Sequence, residues 1–147
     1  MSSTKDETRA AAKRAEHFQR VREAHQAETA EDYVELIADL IEQKGEARAV
    51  DLANYLGVTK PTVNNAIQRL QRDGYVDSAP YRAIFLTAKG RDLAAASRER
   101  HLVVREFLIA LGIDAETADM DAEGIEHHVS EKTLKAFRTF VNAARRK

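Results

Sequence analysis

Apolar residues recur along this chain at intervals of three and four, and the pattern predicts a succession of helices interrupted by one short β-type stretch. In residues 30–44, Tyr33, Ile37, Leu40 and Ile41 follow an i, i+4, i+7, i+8 stripe, which predicts a helix closed by Gly45. A short helix is expected over 49–56, carrying Val50, Leu52, Ala53 and Leu56, with Gly57 as a tight turn. Thr59 reads as the N-cap of the next helix, Pro61 suits its first turn, and Val63, Ile67 and Leu70 face inward up to about Asp73, with Gly74 as the stop. Tyr75-Val76-Asp77 and Ala83-Ile84-Phe85-Leu86 are β-type runs around a turn segment at 78–82, the pattern of a small hairpin. Thr87 caps a long helix to about Leu111, Asp114 caps another to about Val129, and Ser130 caps a last one with Leu134, Phe137, Phe140 and Val141 on one face. Before all of these, residues 1–27 read as an arm. Its early part is expected to be loose, with helix from about Arg9 and Phe18 and Val21 as its sizeable apolar anchors.

Composition narrows what such a chain does. Its 147 residues are 44% hydrophobic and 32% charged, with six Gly and two Pro, which suits a mostly helical protein with a buried core. The absence of cysteine excludes disulfides, iron–sulfur ligation, a zinc finger and a thiol nucleophile. No apolar run approaches the ~18 residues of a membrane span, and the first residues do not resemble a secretory signal, so the cytoplasm is the default compartment. Net charge is −1, but it is unevenly spread. Residues 28–44 hold six acids against one Lys, between two mildly basic stretches. That acidic helix is either a solvated face or half of a cation site.

Helix, Gly turn, helix, hairpin is the order of a winged helix-turn-helix. Its second helix opens Thr59-Lys60-Pro61-Thr62 and presents Asn64, Asn65, Gln68 and Arg69 outward. Lys60 and Thr62 suit phosphates near a helix N-terminus, and Asn65 or Gln68 suits a bidentate bond to an adenine edge. Tyr81 and Arg82, at the hairpin tip, suit the DNA backbone or the minor groove. A weakly basic module of this kind binds DNA weakly as one copy, so two copies on two half-sites are expected.

Two helical clusters carry hard-metal ligands. Asp32 and Glu35 sit at i, i+3; Glu123, Glu126 and His127 sit at i, i+3, i+4, within about 100° of arc on one helix. His101, midway along the long helix, adds a nitrogen if that helix packs alongside. Each also has a bland reading: Asp32 as the third acid of a capping box opened by Thr29, Glu35 as a solvated acid, His101 as a satisfied buried histidine. Asp119, Asp121, Glu123 and Glu126, however, crowd together with no Lys or Arg at the neighbouring helical positions. Gathered carboxylates repel, and one of them needs a proton or a cation. Carboxylates suit Mn²⁺, Mg²⁺ or Ca²⁺, and imidazole tilts the choice towards transition metals.

The runs Glu31-Asp32-Tyr33-Val34-Glu35, Pro61-Thr62-Val63 and Asp121-Ala122-Glu123-Gly124-Ile125-Glu126-His127-His128-Val129-Ser130 resemble the manganese-responsive branch of the diphtheria-toxin-repressor family of metal-activated regulators. The likeness covers roughly residues 28–142. It implies a mainly α protein with three parts: the arm (1–27), an N-terminal winged helix-turn-helix with a small β-hairpin wing (28–90), and a helical metal-binding and dimerisation domain (91–147). It further implies a homodimer on a double-stranded operator with two-fold symmetry. Two Mn²⁺ per chain would be held by Asp32, Glu35, His101, Glu123, Glu126 and His127. Iron-responsive relatives carry Cys at the position of Glu123 and Met at that of Asp32, so oxygen at both implies manganese. Relatives often have Lys or Gln where this chain has Asn65. The expected role is a repressor of manganese uptake genes, not an enzyme, with no membrane and no organic substrate. The alternatives are a regulator responding to another divalent metal such as Fe²⁺, a winged-helix sensor of an organic ligand, and a two-metal hydrolase.

Overall fold

The computed structural model describes residues 3–79 and 82–147, without the side chains at 24, 26 and 27. Its elements are α1 (Ser3–Lys44), α2 (Ala49–Leu56), α3 (Lys60–Arg72), β1 (Val76–Asp77), β2 (Phe85–Leu86), α4 (Ala88–Ala110), α5 (Ala115–Ile125) and α6 (Glu131–Arg145). The two strands pair antiparallel, Val76 opposite Leu86 and Asp77 opposite Phe85, and Ile84 bridges back to Ala47. The chain is therefore mainly helical with a two-stranded wing, as its apolar pattern predicts.

The caps explain the boundaries. The hydroxyls of Thr59, Thr87 and Ser130 and the carboxylate of Asp114 each accept a hydrogen bond from a backbone N–H three residues on, at Thr62, Gly90, Thr133 and Thr117. Gly57 closes α2 at φ 67°, a left-handed conformation that side chains resist.

Two differences from the sequence expectation matter. The arm is not loose at its start, because α1 is helical from Ser3 straight through to Lys44. Residues 3–44 contain neither Gly nor Pro and are rich in Ala, Glu, Arg and Lys, so nothing breaks the ladder. Phe18 and Val21 are 58% and 40% exposed and belong to neither core among the described residues. Thr29 consequently lies inside the helix, its hydroxyl donating back to the His25 carbonyl at 3.1 Å, and no capping box forms at Asp32. The second difference is at α5, which stops at Ile125 and not near Val129, so Glu126 is its C-cap and His127 lies in the following turn.

Two cores are joined by one helix, α4. The first gathers Tyr33, Val34, Ile37 and Leu40 of α1 with Leu52, Val63, Ile67, Leu70, Val76, Ile84, Leu86 and Ala94. The second is built on Val104, Ala122 and Leu134, with Leu108 and Phe137 packed against it; Phe107 and Phe137 stack with ring centroids 4.0 Å apart. α4 belongs to both, since its Ala94 enters the first and its Val104 the second. Its entry is tightly fixed. Thr87 Oγ1 donates to the Gly74 carbonyl at 2.6 Å, and a Cβ on Gly90 would lie 2.0 Å from the Tyr75 carbonyl oxygen, so glycine is what lets α4 approach the base of the wing. No helix among the described residues is long and apolar enough to cross a membrane.

Candidate metal centre and nucleic-acid interface

α1, α4 and the end of α5 bring five of the six expected metal ligands, Asp32, His101, Glu123, Glu126 and His127, to one junction with spacings of 3.2–3.5 Å, and Glu35 lies near enough for its charge to act on Glu126. His101 Nδ1, from α4, lies 3.5 Å from both Glu123 Oε1 and Glu126 Oε2. His127 Nε2 lies 3.2 Å from Asp32 Oδ1 and 3.3 Å from Glu126 Oε1, tying the α5 end to α1. Glu35, also on α1, accepts a hydrogen bond from the buried Ser97 hydroxyl of α4. Glu126, the C-cap of α5, keeps helical backbone angles and donates its N–H to the Ala122 carbonyl at 2.9 Å, so it shares the face with Glu123 that the spacing anticipates, and His127 follows from the turn.

Glu126 is the centre of this arrangement. It is 1% exposed, and neither carboxylate oxygen has a hydrogen-bond donor. Burial and then the charge of Glu35 push its pKa up to about 8. Burial likewise raises Glu35, with Glu123 adding to the effect and the Ser97 hydrogen bond opposing it. His127 responds in the opposite sense: burial disfavours its cation, but hydrogen bonds to Asp32 and Glu31 outweigh that and push it up to about 10. His101 Nδ1 is also buried without a partner. Orphaned carboxylate oxygens facing an orphaned imidazole nitrogen are expensive to bury. A divalent cation held there would supply the charge that these groups lack, and a donor set dominated by oxygen with two imidazoles fits a hard to borderline ion such as Mn²⁺.

Residues that the sequence did not single out support the cluster. Glu31 is buried and accepts hydrogen bonds from both Arg100 and His127; these hold its carboxyl below the ordinary range against the upward push of burial. It is thereby the group that orients the His127 ring. Its only signal in the sequence was its place beside Asp32, since Arg100 is 69 positions away. Asp119 is not without a cation, as helical spacing suggested, because Arg105 Nε reaches it from α4 at 2.6 Å. Asp121 is exposed and takes no described part in the cluster.

The residues expected to read DNA form a different kind of surface. Lys60, Pro61, Thr62, Asn64, Asn65, Gln68 and Arg69 are all exposed along α3, whose opposite face buries Val63, Ala66, Ile67 and Leu70. The polar face is thus continuous, with Arg69 at its edge beside Thr29, Ala30 and Tyr33 of α1. Thr59 and Thr62 spend part of their capacity on each other, with their hydroxyls 2.9 Å apart. Arg82 is exposed on the wing, its backbone N–H donating to the Ala79 carbonyl at 3.1 Å. Tyr81 lies outside the described residues.

Residues 25–84 match the family described as "Iron dependent repressor, N-terminal DNA binding domain", and residues 87–147 match "Iron dependent repressor, metal binding and dimerisation domain". The "Transcriptional regulator MntR" of Escherichia coli O157:H7 is 56% identical over 125 residues, covering 85% of this chain and 81% of the relative. The protein of that description from Salmonella typhimurium is 54% identical over 125 residues, covering 85% and 80%. A solved structure described as "Manganese-dependent transcriptional repressor complex with manganese" is similar at 29% identity with a TM-score of 0.67, covering 77% of this chain and 52% of that one. The chain therefore spans about half the length of that solved structure.

Proposed function

This chain belongs to the iron-dependent repressor family of metal-dependent DNA-binding regulators, and on that premise we propose that it is a manganese-activated repressor of manganese uptake genes. It would hold two Mn²⁺ per chain through Asp32, Glu35, His101, Glu123, Glu126 and His127. It would act in the cytoplasm as a homodimer on an operator with two-fold symmetry. The winged part, 28–90, reads the DNA, and the helical part, 91–147, dimerises. The names of the relatives favour manganese over Fe²⁺, and the hydrolase alternative has no support in a family of regulators. The observation that carries the metal assignment is the buried Glu126 carboxylate with neither oxygen satisfied.

When bound, the cation supplies the positive charge that lets these carboxylates sit together. The chain's own residues do the rest. Asp32 and Glu35 lie on the helix whose Tyr33, Val34, Ile37 and Leu40 form the core of the winged part, so holding those two acids holds the reading head. His101, Glu123, Glu126 and His127 lie on the other side of the junction. Repelling carboxylates push the two sides apart, and neutralised ones hold them at one spacing. Operator half-sites are separated by a fixed distance, roughly 34 Å per DNA turn, so a dimer held at one spacing loses less of its ensemble on binding. A coupling of about 1–3 kcal/mol corresponds to roughly 5–150-fold tighter DNA binding, and operator DNA must tighten metal binding by the same factor.

Equilibrium dialysis with Mn²⁺, beside gel shifts on duplexes selected from a random library, tests this. More than one Mn²⁺ per chain, with DNA affinity rising within that range, is the expected result. Less than one per chain at micromolar Mn²⁺, or DNA binding indifferent to it, overturns the reading.

A further inference from the structure

A second group of metal-ligating side chains lies beside the junction and takes no part in the six-residue set. We propose that His25, Glu28 and His128 form a separate, nitrogen-rich site for a borderline divalent transition metal, for which Zn²⁺ is the natural probe. Their ligand atoms all lie within 4.8 Å of one another. Glu28 Oε2 is 3.0 Å from His128 Nε2 and 3.6 Å from His25 Nδ1, and the two imidazole rings meet edge to face with centroids 5.6 Å apart. Tetrahedral ligands at Zn–N and Zn–O distances of about 2.0–2.1 Å stand about 3.3 Å from each other, so two of the three spacings already bracket the required value. The third, between the two imidazoles, is no more than 4.8 Å.

The chemistry differs from that of the main cluster. There, carboxylates outnumber imidazoles; here two neutral imidazoles accompany one carboxylate, the ratio that favours Zn²⁺, Co²⁺ or Ni²⁺ over Mn²⁺. The side chains of His25, His128 and Glu28 are 66%, 41% and 28% exposed, which gives an ion an entry path and leaves room for water as a fourth ligand. The site also has a mechanical meaning. His127 and His128 share one turn but look to different partners, His127 to Glu31 and Asp32 and His128 to Glu28. An ion on His128 would therefore fasten α1 to the same turn one helical step further towards its N-terminus. Glu28 also lies within reach of Asp32 and His127, so the two clusters touch at that edge and their occupancies must be separated experimentally.

The test uses the full chain, stripped with a chelator and titrated with Zn²⁺ alone by calorimetry, and with Co²⁺ followed by its visible absorption. His25→Ala should lose one Zn²⁺ equivalent, or bind it at least about tenfold more weakly, together with one four-coordinate Co²⁺ signature. Its Mn²⁺ stoichiometry and Mn²⁺-dependent DNA binding should be unchanged. Glu126→Gln should keep that Zn²⁺ equivalent while losing Mn²⁺ binding. Equal Zn²⁺ equivalents and affinities in His25→Ala and the parent overturn the proposal, as does loss of every Zn²⁺ equivalent in Glu126→Gln. His25 is exposed and carries no core contact, so this variant folds; His128→Gln is the second, confirming variant. Failure of manganese activation in the parent would count against the proposed function and leave this site's zinc equivalent standing.

Discussion

The metal junction and the face of α3 are both polar, yet they are opposites in construction. The junction draws charged groups from three elements into a place where Glu126 is 1% exposed and its oxygens are unsatisfied. The α3 face lays its polar groups along one helix, all of them exposed. Buried polar groups without partners are destabilising and specify a ligand that will partner them; exposed ones cost little and specify only a complementary surface. A lost ligand at the junction should therefore change a switch, whereas a lost contact on the DNA side should change strength alone.

The largest expected effect is at the junction. Glu126→Gln should remove most of the manganese-dependent gain in operator affinity, up to about a hundredfold, in gel shifts with and without Mn²⁺. The same variant should melt at a higher temperature than the parent in the absence of metal at neutral pH, because the parent must take up a proton to bury this carboxyl near Glu35 and Glu123 and the amide need not. A lower metal-free midpoint would break the contrast drawn here. Gly90→Ala should come next. Its added carbon meets the Tyr75 carbonyl, so about 1–3 kcal/mol or more of stability should be lost in a denaturant melt. The damage should fall on the winged part, while Mn²⁺ binding measured on the folded fraction persists. The smallest effect is Arg82→Ala. It should weaken DNA binding on all sequences alike and reduce the slope of log K against log salt by about one, with manganese dependence intact. A change in metal dependence there would mean that the wing and the junction are not separate.

The same contrast explains what could be read from the sequence. The α3 face was legible because one element carries it: Thr59, Pro61 and the Val63, Ile67, Leu70 spacing fix where the helix starts and which side is inward. The wing and the long α4 were legible from Gly74, Thr87 and the switch of apolar period. Glu123, Glu126 and His127 were visible as a cluster; Glu126 continues the helical geometry of α5, while His127 lies in the turn beyond it, because local periodicity does not register where the chain turns off to meet α1. Glu31, Ser97 and Arg105 were invisible as partners, since each acts across the packing of α4 on α1 or α5. The six ligands as one set came from resemblance to a known family, not from spacing. The arm was misjudged at its start for a plainer reason: few apolar anchors suggested looseness, whereas an uninterrupted run of good helix formers continues a helix that is held further along.

That continuity has a consequence for motion. Asp32 and Ser3 are joined by one unbroken rod of roughly 43 Å, at about 1.5 Å per residue. A tilt of roughly 5° at the Asp32 end would sweep the far tip through about 4 Å, so α1 turns an adjustment too small to see at its fulcrum into an excursion the width of a side chain.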